Sequence, residues 1–580
     1  MRPRVTVAAS GAFALVAALS ACPANTGGSP SVDSGRQPTG VIATDPKDST
    51  GPAPELAGAR RGGTFTVLRE TPISHLDPQR TYSFAGLMAV PLVARSLTTW
   101  KDDGAGNLTL VGDLAETPGR DVDDDCRVWE FTVKDGVRFE DGRPVTAREI
   151  AYGIARSFDP DLAGGPTYLQ EWLADTPQYD TAWDFTANRG SLPPGLTTPD
   201  ARTLRFEFAR PRCDLPFAAS LPSTAPLPPD RDTGVDLGNA PFSSGPYKVT
   251  RYRPGIEIVM ERNEHWDAGT DPVRHQYPDR FVWSFGATPD AAANRIIADN
   301  GTDRSALSWD YVPASLVARV AGDAALRSRT LLSPTPSANH LVINNERVTD
   351  LRVRQALNHA IDREGLVKVL GGPHVAVPMT TLMPPATIGH RAYDAYPAGP
   401  NGDPDKAREL LGGQRPELVL GAADSSVEQQ VATQLKGNLE RAGFAITIRN
   451  IPDDAKFDEI KKRGNPWDLY LSSWAGDWPS GASILPVLYD GRAIRATGNS
   501  NESYFNDATI NAEFDRILAL PPSEQGPHWA RLDERIMREH APVVPLYVDV
   551  AYLVHGSKAG GAFVSSVFGY PSLVNAHVEP

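Results

Sequence analysis

Three short apolar runs separated by two helical patterns, between residues 417 and 474, constrain this chain's fold more than any other feature. ELVLGA (417–422), FAITIRNI (444–451) and WDLYLSSW (467–474) read as strands. Between the first two, Val427, Val431, Leu435 and Leu439 recur every four residues, and Gly443 closes the helix. AKFDEIKKR (455–463) supplies the second helix. Strands alternating with helices imply a parallel sheet, because each helix must carry the chain back across it, and such crossovers are right-handed. In open sheets of this kind, ligands sit beyond the carboxyl ends of the strands. Trp474, Gly476, Asp477 and Trp478 fall at that end of the third strand. An aromatic-flanked carboxylate there is a candidate ligand contact.

The regular pattern begins upstream. Asp350 is placed to cap a helix over LRVRQALNHAIDREGLVKVL, with Val353, Leu357, Ala360, Ile361 and Val367 on one face. Asp403-Pro404 opens a short helix that Gly412 ends. The first half is less regular. TFTVL follows Gly62-Gly63, and WEFTV (129–133) and LRFEF (204–208) read as short strands. Thr146 and Glu149 form a capping box ahead of Ile150, Ile154 and Phe158 on one helical face. An irregular α+β half therefore precedes an α/β half, and 580 residues exceed what one core holds. Residues 183–200 are polar and turn-rich and carry no readable role.

The N-terminus carries an address. Arg2 and Arg4 precede an apolar stretch from Val5 to Leu19 that is short for a bilayer span. Leu19-Ser20-Ala21-Cys22 resembles a lipobox, so residues 1–21 are expected to be removed and Cys22 lipidated. Residues 22–58, rich in Gly, Ser, Pro and Thr, read as a disordered tether of roughly 30–35 Å average span. Lipidation leaves Cys126 and Cys213 as an even pair in an oxidising compartment. Their places, just before one strand and just after another, do not by themselves favour a bond. A disulfide and two buried free thiols both stay open.

Several functions find no support. A net charge of −14 and no basic stripe argue against nucleic acid. There is no zinc-ligand spacing, no phosphate loop and no nucleophile elbow, so neither a metal nor a cofactor is expected and the chain reads as no enzyme. Asp123–Asp125 and Asp453–Asp454 read as solvated turns, and His75 as a surface or capping residue.

Segments in order along the chain carry a resemblance. GGTFTV with Leu76-Asp77-Pro78, WEFTVKDGVRFEDGRPVTAREIAYGIARSFDP (129–160), SSGPYKV (243–249), ERNEHW (261–266), LVINNERVTDLRVRQALNHAIDREGLVKVLGG (341–372) and SSWAGDWPSG (472–481) are similar to the extracellular solute-binding proteins of family 5, the peptide and nickel binders of ABC importers. The family usually has an acidic residue after the late proline. Here Pro479 is followed by Ser480 and Gly481. The resemblance implies an α/β, two-lobed periplasmic-binding-protein-like fold (type II, cluster C-like) with an extra subdomain in the first lobe. Residues 59–82, 236–335 and 552–580 would form the first-lobe core, 83–235 the extra subdomain, and 336–551 the second lobe.

It also implies a monomeric, lipid-anchored extracytoplasmic protein that binds a peptide and passes it to a permease and ATPase. Another small solute (opine-like, a glycan, a metal chelate) or a sensory role on the same scaffold are the alternatives. Within that reading Asp477 receives a peptide's α-ammonium, as the resemblance assigns to its segment. Trp474 supplies flat apolar surface, and Asn344, after the strand LVIN, serves backbone amides.

Overall fold

The computed structural model describes residues 39–399 and 401–580. The signal segment 1–21, Cys22 and the tether up to residue 38 lie outside them. Thr64–Arg69 forms the second-from-edge strand of a five-stranded sheet, flanked in parallel by Ala306–Ser308 and Arg280–Phe285. Its alternation turns Phe65 and Val67 into a core with Met260, Phe281 and Trp283. Ala559, Leu573 and Ala576, from the far end of the chain, complete that core.

A four-stranded antiparallel sheet, with Val128–Thr132 and Thr203–Glu207 at its centre, forms a second body on this lobe. The helix Ala147–Arg156 starts at the Thr146/Glu149 capping box and buries Ile150 and Ile154 on the sheet. Val128 pairs with Glu207, so the start of one central strand lies beside the end of the other. Cys126 and Cys213 flank those ends and are joined by a disulfide, with Cα atoms 4.8 Å apart. Antiparallel pairing itself brings the two ends together, which the strand-end argument from sequence had the wrong way round. Residues 183–200 gain a role: Trp183 meets the Phe158 ring edge-on at 5.1 Å, and Phe185 is buried beside it.

The second lobe holds a six-stranded mixed sheet, in the order Ala376–Pro378, Val543–Val554, Thr330–Ile343, Leu469–Ala475, Glu417–Ala423, Ala445–Ile451. The last three strands are parallel, as the alternating pattern requires. Val431, Leu435 and Leu439 of the helix Ser426–Arg441 are buried on it, whereas Val427 is 58% exposed. Steps of four residues overshoot a 3.6-residue turn by about 40° each, so the first of the four has rotated off the buried face. The single helix expected over 351–370 is two, Leu351–Ala360 and Arg363–Leu370. Asp362 caps the second by accepting from Gly365 N at 2.7 Å, while Ile361 turns extended and stays fully buried.

Thr330–Ile343 and Val543–Val554 pair antiparallel over most of their length. Leu331 packs on the first core and Leu341 in the second, and Val554 packs beside Leu68 of the first lobe. These two strands carry the chain between the lobes, and their register slips between Pro334 and Ala338 and again between Asn339 and His340.

The tether boundary needs correction. Residues 39–58 are packed on the body: Thr39–Ile42 pairs in parallel with Asn107–Gly112, and the buried Ser49 hydroxyl accepts from Gly112 N at 2.8 Å. Low-complexity composition reports the lack of a periodic face. It says nothing of backbone partners that a neighbouring edge strand offers. No helix among the described residues is long and apolar enough to cross a membrane.

Candidate functional site

The strand Leu469–Ala475 ends in a tight exit at Gly476, where a Cβ would stand 2.7 Å from Ser483 Oγ and 3.0 Å from Trp478 O. Glycine lets the backbone turn there and throw the next two residues toward the first lobe. Trp478 lands in an apolar cluster with Trp100, Leu110, Phe217 and Val567, its ring 4.7 Å from that of Tyr168. Asp477 beside it is only 7% exposed. Tyr168 Oη donates to its Oδ2, and Tyr82 donates a second hydrogen bond. Both phenols come from the first lobe. Among the described residues no lysine or arginine pairs with Asp477, and burial pushes its carboxyl up to about 6.

A second carboxylate meets the seam from the other side. Asp214, in the loop after Cys213, accepts from Gln525 Nε2 of the second lobe at 3.1 Å, and burial pushes it up to about 7. The seam is thus closed by hydrogen bonds between neutral donors and buried acids.

The strand itself is half open. Residues 469–475 pair along their whole length with 337–343 on one side. On the other side only Leu469 and Tyr470 find a partner strand, at Leu420 and Gly421. Among the described residues, no strand covers the outer backbone edge of 471–475, and Ser473 is exposed. An extended chain laid on that edge would end near Asp477.

The sequence-derived candidates fare differently. Asp477 stands at the seam. Trp474 is half-buried, with Nε1 donating to Ser483 O at 3.0 Å, and borders a small cavity of about 30 Å³ with His340 and Glu502. Asn344 is not brought to the site. Ile343 pairs with Leu469 and Ser337 with Ala475, so Asn344 lies at the opposite end of the strand, roughly 20 Å away at strand rise. It is 1% exposed, and its side chain holds the Glu346 amide and faces the carbonyl of Trp467. The loop before the strand consumes the amide chemistry assigned to a ligand. His75 is half-buried against Gly238.

Tyr82, Tyr168 and Asp214 escaped the sequence reading. Each is a lone polar or aromatic residue in a loop or short helix, far in sequence from Asp477, with no spacing that signals a site. A larger cavity of about 570 Å³ lies within the first lobe, bordered by Met88, Trp100, Arg274 and Phe568, and includes none of these residues.

Residues 109–495 match the family model for bacterial extracellular solute-binding proteins, family 5. The chain belongs to this family. The binding protein is 21% identical over 468 residues to the glutathione-binding protein of Salmonella typhi, covering 79% of this chain and 84% of that one. It is 23% identical over 450 residues to the periplasmic murein peptide-binding protein of Escherichia coli K12, covering 73% and 77%. Among solved structures, clavulanic acid biosynthesis oligopeptide binding protein 2 superimposes with a TM-score of 0.84 at 30% identity, over 90% of this chain and 96% of the other. OppA of Haemophilus influenzae, in complex with RPPGFSPFR, superimposes with a TM-score of 0.65 at 17% identity, over 90% and 100%. The fold is the mixed α/β, two-lobed arrangement of these binding proteins.

Proposed function

We propose that this protein is the extracytoplasmic receptor of an ABC importer, that its ligand is a peptide, and that lipid on Cys22 holds it at the cell membrane. The observation that carries the reading is the open backbone edge of 471–475 running up to a buried carboxylate that has no cationic partner among the described residues. A peptide added as a strand to that edge gains main-chain hydrogen bonds whatever its side chains. Its α-ammonium then reaches Asp477, where a charge-assisted bond replaces the tyrosine hydroxyls. The lobes would be 59–82, 236–335 and 552–580 with the subdomain 83–235, against 336–551. Closure around ligand is hinge motion on the two long shared strands, whose slipped registers are the natural points of bending. The ligand leaves chemically unchanged. Peptide names among the relatives support the same reading.

The test is mass spectrometry of small molecules released on denaturing protein purified from its native compartment. Peptides are expected. A released peptide should bind again to the refolded protein, and its N-acetylated form should bind at least tenfold more weakly. Release of a non-peptidic solute, or equal affinity for the acetylated peptide, would overturn the assignment. Labelled fatty acid should join the wild-type chain and not Cys22→Ala.

A further inference from the structure

A third acid lies on one of the two long strands that carry the chain between the lobes. Asp549 lies on the strand Val543–Val554 and accepts from Asn339 Nδ2 at 3.0 Å and from the Ser337 hydroxyl. Both donors are neutral. Among the described residues no lysine or arginine forms an ion pair with Asp549, and burial pushes its carboxyl up to about 6. Ser337 pairs with Ala475, two residues before Asp477, so Asp549 and Asp477 belong to the same end of the sheet. Two strand spacings across and two residues along place their Cα atoms roughly 12 Å apart.

The first lobe presents aromatic rings to Asp549. Phe84 stacks on Tyr570 with centroids 4.6 Å apart, and Tyr570 lies 6.2 Å from Tyr311 at a shallow 25°. The Tyr311 and Tyr570 hydroxyls share a hydrogen bond. Tyr311 packs on the cluster of Ala551, which lies two residues from Asp549 along the same face of the strand, and the Asp549 charge adds to burial in raising both phenols. Arg69, the cation beside Tyr570, faces Asp310 rather than Asp549.

A carboxylate with only neutral donors, next to stacked tyrosines, is chemistry suited to a cation. The acid supplies charge, and the tyrosine hydroxyl oxygens supply acceptors for an ammonium or guanidinium, since Phe84 and Trp309 already stack on the Tyr570 ring. We propose that Asp549, Tyr311 and Tyr570 form a second cation subsite, and that the preferred ligands are peptides carrying a lysine or arginine side chain close to the N-terminus. The proposal rests on the peptide reading above, with the α-ammonium at Asp477. Roughly 12 Å is a span that one or two residues of extended peptide and a long basic side chain cover.

Isothermal titration of refolded, ligand-stripped protein with four probes tests it: tetra-alanine and its variants with arginine at position 1, 2 or 3. At least one arginine peptide is expected to bind about tenfold or more tighter than tetra-alanine, as a partly desolvated charged contact implies. In Asp549→Asn that advantage should fall below about twofold with tetra-alanine affinity unchanged, which also reports that the variant is folded. Tyr311→Leu should reduce the advantage severalfold by the same measure. Peptides that bind wild type with no arginine preference, or a preference that survives Asp549→Asn, would overturn the subsite and leave the peptide reading standing. No binding of any of the four would overturn both.

Discussion

Asp477→Asn separates a ligand anchor from a structural turn residue, because the two roles predict opposite signs. Burial pushes the carboxyl from 3.8 to about 6, with Tyr168 and Tyr82 as its donors. Keeping it ionised at pH 7.5 therefore costs the folded protein about 3 kcal/mol relative to a solvated carboxylate. An asparagine carries no charge to desolvate, and its carbonyl still accepts from one tyrosine. The thermal midpoint of the ligand-free variant should stay level or rise by about a degree or two. Peptide binding should weaken by about 2–4 kcal/mol, since the ammonium loses the carboxylate that anchors it. Paired scanning calorimetry and titration calorimetry at pH 7.5 read both quantities on one preparation. A midpoint that falls by several degrees while affinity is unchanged would refute the anchor and make Asp477 a part of the turn.

Three further outcomes follow from the same structure. Asp477 and Asp549 at about 6 and Asp214 at about 7 hold protons that the unfolded chain has already released. They contribute stability that is full below about pH 4 and lost as pH rises through 6 to 7, whereas a peptide ammonium needs Asp477 ionised. Peptide affinity should therefore fall by about tenfold from pH 7.5 to 5, and pH-independent titrations would contradict it. Arg156→Met should cost about 3–5 kcal/mol in urea unfolding, because the fully buried Asp77, 2.9 Å from the guanidinium, loses its cation. Adding Asp77→Asn should recover part of that loss. Replacing Cys126 and Cys213 together by serine should cost about 4 kcal/mol, as expected for a cross-link over 87 residues. An unchanged denaturation midpoint would mean the bond contributes nothing.

The parallel order of the 417–475 strands, the capping box at Thr146 and the placing of Asp477 at a strand end were legible because each is a local pattern. Periodicity, a cap spacing or a chain reversal declares itself within about twenty residues. The partners of Asp477 were not legible, because Tyr82 and Tyr168 stand more than 300 residues away in sequence and meet it only across the seam between the lobes. Asn344 misled for a related reason. LVIN marks a strand end, and only the antiparallel pairing of that strand with 469–475 decides which end of the sheet it occupies. Asp549 gave no local signal at all: no spacing or cap marks it, and its neutral donors lie on a strand more than 200 residues earlier.

The first-lobe core is closed by Ala559, Leu573 and Ala576, residues made some 250 positions after the last strand of its own sheet. A growing chain can therefore have its amino-terminal lobe nearly complete in length and still lack the plug that shuts its interior. An extracytoplasmic protein benefits from that delay, since a translocation channel admits only chain that has not yet locked into shape. The order of synthesis thus leaves the lobe that emerges first without its last core residues until the other lobe's strands have been made.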